Sequence, residues 1–370
     1  MDNAESQDKP IKSTPSKKVF FLTPYPYDTA PGQRFRYEQY LNILRQNAIE
    51  YTLASFMDAG TWDILYKPGL LFKKAWGILA GFLGRLFILP SIRKYDFVFI
   101  FREASPIGPP VFEWIIAKIL RKKIIYDFDD AIWLSNTSDN NRIVARIKWH
   151  SKVSSICKWS YKVSCGNAYL ADYARQYNKN VIVNPTTIDT LHYHNRIKDQ
   201  DTSSLTIGWT GTHSTIQYLD VIVPVLTKLE EKYDFTFIVI SNSPPAFDLR
   251  SLKYVKWAKG TEIDDLMEFN VGIMPLTDDP WARGKCGFKA LQYMSLGIPA
   301  LVSPVGVNTA IVDDGVNGMV CTDAEEWEQA IMSLILNNEL KIKLGREARK
   351  KVENNYSVIS NTQNFLNLFQ

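Results

Sequence analysis

Short runs in which nearly every residue is apolar recur along the chain, separated by longer stretches whose apolar positions fall at helical spacing. The first series contains Val19–Thr23, a helical pattern from about Phe35 to Asn47, Phe97–Phe101, a helical pattern from Val111 to Leu120, and Lys123–Phe128. Short continuous apolar runs suit strands buried on both faces, and the stretches between them suit helices that cover those faces. A helical stretch around Arg142–Trp159 precedes two more strand-like runs, Lys162–Cys165 and Val181–Val183, which Asn184, Pro185 and Asp189 bring to an end. After a polar interval the pattern restarts with Leu205–Trp209, Phe235–Ile240, Val255–Trp257, Val271–Met274, Ala300–Ser303 and Gly318–Cys321. The reading is an α/β protein of two doubly wound, Rossmann-like domains, 19–190 and 205–354, joined by a linker at 191–204. The last helix, 355–370, is expected to pack back on the first domain. Residues 1–18 are polar, lack the apolar core of a signal peptide, and are expected to form a disordered leader.

One segment departs from this alternation. Leu70–Ser91 is strongly apolar, yet only ten uncharged residues separate Lys74 from Arg85, about half of the ~20 that a membrane span needs. On a helical wheel Lys73, Lys74, Gly77, Gly81, Gly84 and Arg85 share one third, while Phe72, Trp76, Leu79, Phe82, Leu83, Leu86 and Phe87 fill the rest. Two readings stay open: an amphipathic helix at an anionic membrane surface through 70–91, or a core helix whose glycines permit close packing.

Composition narrows the class. The chain has 370 residues, 46% hydrophobic and 22% charged, which excludes a wholly disordered, collagenous or coiled-coil protein. Cys157, Cys165, Cys286 and Cys321 lie far apart with no metal-ligand spacing and read as reduced thiols in a cytoplasmic protein. The net charge of +4 hides an asymmetry: residues 1–190 hold 26 Lys/Arg against 17 Asp/Glu, and the remainder 17 against 22. A basic half suits an anionic membrane or a phosphorylated ligand. Nucleic acid is not expected, because the charge is confined to one half and no known binding module appears.

Candidate chemistry concentrates at the ends of the expected strands, where open α/β sheets bind ligands. In Trp281–Asn308 a basic, Gly-containing loop precedes a helix. Free amides at Gly287 and Phe288 and the positive end of the helix dipole favour an anion, with Arg283, Lys285 and Lys289 adding charge. A basic loop on a solvated face is the alternative.

This loop resembles the nucleotide-sugar-binding signature of GT-B glycosyltransferases, specifically the retaining glycosyltransferase family 4 of bacterial surface-polysaccharide type. Further similar stretches follow the family's order: Val183–Asp189, Ile207–Thr215, Asp313–Cys321 and Leu344–Ser357. The resemblance implies a two-domain GT-B fold with the nucleotide sugar on the second domain. It implies transfer of the sugar to a glycan or polyprenyl-diphosphate-linked acceptor in polysaccharide or glycoconjugate assembly, with retained configuration. The nucleotide-diphosphate sugar would be a co-substrate, with no bound cofactor and no metal, in the cytoplasm or on the inner face of the plasma membrane. Donor contacts would fall on Gly211, Thr212, Arg283, Lys285, Gly287, Phe288, Lys289 and Gln292.

The departures are specific. Two glutamates eight positions apart are usual in the family, and Gly284 and Gln292 stand in their places; the Arg/Lys pair after the second domain's first strand is missing. A catalytically degenerate sugar-nucleotide-binding or scaffold protein of the same fold is therefore the alternative function. In the first domain, Asp129 and Asp130 follow a strand where the family has a His-Asp pair, and are the catalytic candidates, a helix cap being the other use. Asp127 and Asp129 also form a D-x-D pattern of the metal-chelating kind, which is short and common by chance. Thr23–Leu41 resembles the family's glycine loop, so that Gly32, Arg34 and Arg36 would meet the acceptor; Arg34 and Arg36 could equally cover the helix surface. Arg102, Glu103, Ser164, Gly166 and Asn167 belong to the same rim.

Overall fold

The computed structural model describes residues 17–65, 67–135, 148–202 and 204–370. Most of the expected leader and the first part of the Arg142–Trp159 stretch lie outside the described residues. The apolar runs become the strands of two parallel sheets. The first contains β1 (Lys17–Thr23), β2 (Ile49–Ser55), β3 (Phe97–Phe101), β4 (Lys123–Phe128), β5 (Lys162–Cys165) and β6 (Val181–Val183), in the order β2-β1-β3-β4-β5-β6. The second contains β7 (Leu205–Gly211), β8 (Phe235–Ser241), β9 (Leu252–Lys256), β10 (Val271–Met274), β11 (Ala300–Val302) and β12 (Gly318–Val320), in the order β12-β11-β10-β7-β8-β9.

Both faces of each sheet are covered, and the two-residue period sorts the side chains. Phe20, Leu22, Val98, Ile100, Ile124 and Tyr126 enter one core, and Val19, Phe21, Phe97, Phe99 and Ile125 enter another on the opposite face. The second sheet divides in the same way, with Ile238, Ile240 and Met274 on one side and Phe237, Val239 and Ile273 on the other. Removing a fully buried ring such as Phe99 would cost about 3–5 kcal/mol. The chain end returns to the first sheet: Phe365, Leu368 and Phe369 join Phe21 and Phe99, and the Tyr40 and Phe365 rings stack at 4.2 Å.

Two local expectations are corrected. β2 carries no strand signal in the sequence, because it pairs on one side only and, beyond the buried Ile49, its residues are partly or fully exposed with no apolar run. The helix expected over Phe35–Asn47 is two short pieces, Glu38–Tyr40 and Leu41–Gln46, preceded by a single turn at Pro31–Arg34.

Strand order reverses between β1 and β3 in the first sheet and between β7 and β10 in the second. Those reversals open a crevice at the carboxyl ends of the strands, and the loops that follow β1, β3, β4, β5 and β10 meet there across the two domains.

Candidate active site

The first domain supplies a rim of paired charges. Pro31 presets the backbone of the turn after β1, which brings Gly32 so close to the rim that a Cβ on it would lie 3.3 Å from Asp129 Oδ2. β3 is followed by Arg102, whose φ of +59° is left-handed and held by two hydrogen bonds. Its amide donates to the Asp127 carbonyl at 2.7 Å, and its own carbonyl accepts from the Tyr126 hydroxyl at 2.7 Å. This bend aims the guanidinium at Asp129 Oδ1 and Asp130 Oδ2, each at 2.7 Å. Lys285 of the second domain reaches Asp130 from across the crevice at 3.4 Å.

The two carboxyls are held differently. Burial, with Asp130 adding to it, raises the pKa of Asp129 against the pull of Arg102. Burial works on Asp130 too, but Lys285 and Arg102 overcome it and hold that carboxyl below its ordinary range. Asp127 takes no part in the crevice. It is buried, with Arg36 donating to both oxygens at 3.1 and 2.5 Å and Ser164 Oγ donating at 2.5 Å, so it does not form a chelating pair with Asp129. Among the described residues no group of three or more His, Cys, Asp or Glu side chains is arranged so that it could hold a metal ion.

The second domain supplies the basic loop. Asp279 accepts from the amides of Trp281 and Ala282 at 2.8 Å and so caps the turn Pro280–Arg283. Gly287, at φ +67°, caps the helix Phe288–Ser295, and a Cβ there would overlap the Ile311 side chain. Asn167, after β5, fixes the loop from the first domain. Its side-chain amide donates to the Lys285 carbonyl at 2.9 Å, while its oxygen accepts from the Leu170 amide and caps the next helix. The Cys286 thiol donates to the Asp129 carbonyl at 3.1 Å.

These contacts enclose a cavity of ≈ 180 Å³ between the domains, lined by Gly32, Arg102, Asp129, Asp130, Lys285, Gly287 and Lys289 among others. Lys289 differs from its neighbours. Its ammonium lies 5.6 Å over the Trp209 ring and makes no hydrogen bond or ion pair among the described residues. Although the side chain touches solvent in the cleft, protein surrounds it. Burial and the nearby Lys285 push its pKa down to about 7, with Asp130 opposing. A half-buried cation with no ion-pair partner among the described residues, beside the first turn of a helix, is a receptive environment for an anion.

The structure thus gathers Gly32, Arg36, Asp129, Asp130, Lys285, Gly287, Phe288 and Lys289 around one cavity. It places the other expected residues elsewhere. Arg283 points outward, where Asp278, five residues earlier, holds it through two bonds of 2.6 and 2.8 Å. Gln292 is buried beneath the loop and reaches Glu262 at 3.5 Å. Arg34, expected at the acceptor, instead pairs with the same Glu262 at 3.0 Å across the domain interface. Arg36 lines the cavity but is consumed by Asp127 and the Asn184 carbonyl. Gly211 ends β7 and Thr212 follows it, and neither lines the cavity; Thr212 Oγ1 is 2.8 Å from Ser214 Oγ. Gly284 presses against Ala131 of the first domain, which leaves no room for a larger side chain there.

Two important residues were under-read. Glu262 joins Arg34, Gln292 and Tyr193, whose hydroxyl donates at 2.7 Å, yet its partners are too far away in sequence for any local signal. Arg102 was only a rim residue, and its position after an all-apolar strand was the available clue.

With fold and site described, the comparisons define the class. Residues 204–337 match the family model described as Glycosyl transferases group 1. No curated protein sequence matches the chain. A sucrose-phosphate synthase from Thermosynechococcus elongatus superposes with a TM-score of 0.68 at 12% identity, over 95% of this chain and 98% of that one. The Anabaena protein HepE, in complex with UDP and glucose, gives 0.61 at 13% identity over 95% and 98%. The catalytic domain of starch synthase IV from Arabidopsis thaliana, bound to ADP and acarbose, gives 0.65 at 10% identity over 96% and 99%. The fold is GT-B, and residues 204–337, most of the second domain, match a glycosyltransferase group 1 domain.

Proposed function

We propose that this protein transfers a sugar from a nucleotide-diphosphate donor, bound on the second domain, to a hydroxyl of a glycan or polyprenyl-diphosphate-linked acceptor held by the first. The observation that carries this reading is the unpaired ammonium of Lys289 beside the amides of Gly287 and Phe288. The diphosphate would lie over that helix start, with Lys285 as the second cation and the nucleoside extending toward the exposed loop at Gly211 and Thr212. Charge on the departing diphosphate is the main barrier, and fixed amides and cations stabilise it without reorganising.

Asp129 stands on the opposite wall. One oxygen is held by Arg102, and the other lies beside Gly32. A carboxyl whose pKa is raised by burial suits accepting the acceptor's proton. As the acceptor oxygen bonds to the anomeric carbon, the bond from that carbon to the diphosphate breaks and its electron pair leaves with the phosphate. The resemblance in sequence implies retention of configuration, which requires the acceptor oxygen to approach the same face of the sugar that the diphosphate leaves, and it also implies polysaccharide or glycoconjugate assembly. The contacts of Asn167 and Cys286 across the crevice describe closed domains, so donor entry would require opening.

The test is a thermal-shift screen of nucleoside diphosphates and their sugars, followed by a hydrolysis and transfer assay. A ligand that binds only the folded state raises Tm, and Asp129→Asn should keep that shift while losing turnover. No shift with any member of the panel would overturn the proposal. Binding without hydrolysis or transfer would favour the degenerate-binding alternative.

A further inference from the structure

The helix Leu71–Ile88 is packed the opposite way from a core helix. Its buried stripe is Gly77, Gly81 and Arg85, spaced four residues apart. Any Cβ at Gly77 would strike Thr61, and one at Gly81 would strike Phe56, so the glycines allow close contact with the domain. Arg85 is fixed beneath the helix by three backbone carbonyls, those of Ala104, Ala54 and Thr23, at 2.8, 3.0 and 2.8 Å. The large apolar side chains face outward: Phe72 is 94% exposed, Phe87 81%, Leu71 77% and Trp76 69%. The most apolar 18-residue stretch within Leu71–Lys94 has a mean hydropathy of 1.6, enough to pass for a membrane span by length and composition. The stripe tied to the folded domain instead keeps the helix on that domain's surface.

Two further observations select the partner. The adjoining helical segment continues the apolar surface with Val111, Trp114 and Ile119, all exposed, and the Phe82 and Phe112 rings meet between the two at 6.0 Å. Exposed cations border it: Lys67, Lys73, Arg93, Lys94, Lys118 and Arg121. From Lys67 to Lys123 there are 11 basic residues and 3 acidic. An apolar face bordered by cations matches the boundary between acyl chains and anionic headgroups.

Placement gives the surface a use. Arg85 contacts Thr23, the last residue of β1, so this point on the helix is level with the carboxyl ends of the strands. The turns before it pack through Gly81 and Gly77 on Phe56 and Thr61, in the segment that follows β2, so the helix lies beside the loops at the carboxyl ends of the strands. We infer that this helix docks the protein on an anionic bilayer and holds the crevice at headgroup level, where a lipid-linked acceptor presents its hydroxyl. The docking itself does not depend on the donor chemistry proposed above; the acceptor clause does.

The experiment is sedimentation of the full chain with vesicles of phosphatidylcholine alone and with one-third phosphatidylglycerol, in low and high salt. Analytical ultracentrifugation without lipid accompanies it. The parent should pellet with the anionic vesicles, more weakly in high salt and weakly with the neutral ones. Phe72→Ser/Trp76→Ser/Phe87→Ser should lower binding to both by at least about tenfold. Lys67→Glu/Lys73→Glu/Lys94→Glu should remove the preference for anionic lipid. All six side chains are exposed, so an unchanged Tm and unchanged nucleotide-sugar binding would show that the fold and donor site survive. A parent that stays in the supernatant with both vesicles overturns the inference. So does a dimer that the Ser variant dissociates in the absence of vesicle binding, since the covering partner is then a second copy. Vesicle binding without transfer activity would leave docking standing while removing the proposed function.

Discussion

The two walls of the crevice treat charge in opposite ways. On the first domain the cations are committed to protein groups: Arg36 to Asp127, Arg102 to Asp129 and Asp130, and Arg34 to Glu262 across the interface. On the second, Lys289 sits in a surrounded position with no ion-pair partner among the described residues. Burying a cation is costly unless it is paired. In the proposed function the lysine left unpaired at a helix start is the charge that meets the donor diphosphate, while the paired side builds and orients the rim.

This contrast can be broken from either side. The largest effect is expected on stability from Arg36→Met, which strands the buried Asp127 carboxylate and should cost about 3–5 kcal/mol, read from urea unfolding. Lys289→Met should do the reverse and leave the protein as stable or more so. Its gain should be largest below pH 7, where the native lysine is protonated in its buried position. Between about pH 7 and 10 the unfolded chain binds more protons at Lys289 than the native one, so the parent's stability rises with pH and the gain should fade across that window.

On function, Asp129→Asn should reduce turnover by on the order of 10²-fold or more with little change in donor affinity, measured by single-turnover transfer and equilibrium binding. Lys289→Met should weaken the donor by roughly tenfold to a hundredfold, the range of one charged hydrogen bond. The smallest effect is expected at Arg283. Arg283→Ala removes an exposed ion pair with Asp278, and should alter donor affinity less than about twofold and stability by no more than about 0.5 kcal/mol. A large loss there would place the guanidinium back in the site.

The legibility of each part in sequence follows from how local its causes are. Phe97–Phe101, Lys123–Phe128, Lys162–Cys165 and Val181–Val183 were readable to the residue, the first two as runs whose burial on both faces leaves a nearly continuous apolar signal. β2 pairs on one side only and carries a mixed pattern that local reading missed. In the site, the Gly287 turn and the following helix were legible because a basic loop before a helix is a local feature. The fates of Arg34 and Gln292 were not, since both depend on Glu262, which only the tertiary fold brings to them. Capture of Arg283 by Asp278 is a different case: the partner was five residues away, and its direction depended on the bend between Asp279 and Gly284. For Leu71–Ile88 the wheel grouped Gly77, Gly81 and Arg85, which turn inward, but it also put exposed Lys73 and Gly84 with them and set Phe82, which packs on the core, on the other face; only the contacts at Thr61 and Phe56 show which side turns inward.

The most direct test of the central claim is the pH dependence of nucleotide-sugar binding, measured calorimetrically from pH 6 to pH 9 with the best-binding member of a panel of UDP-, ADP- and GDP-sugars. Both phosphates of such a donor are diesters, so its diphosphate does not titrate in this range. If Lys289 grips that diphosphate, affinity should be constant below about pH 7 and fall as pH rises through the lysine's depressed pKa, with proton uptake on binding. In Lys289→Met the dependence should disappear. Equal affinity and the same pH profile in parent and variant would contradict the account.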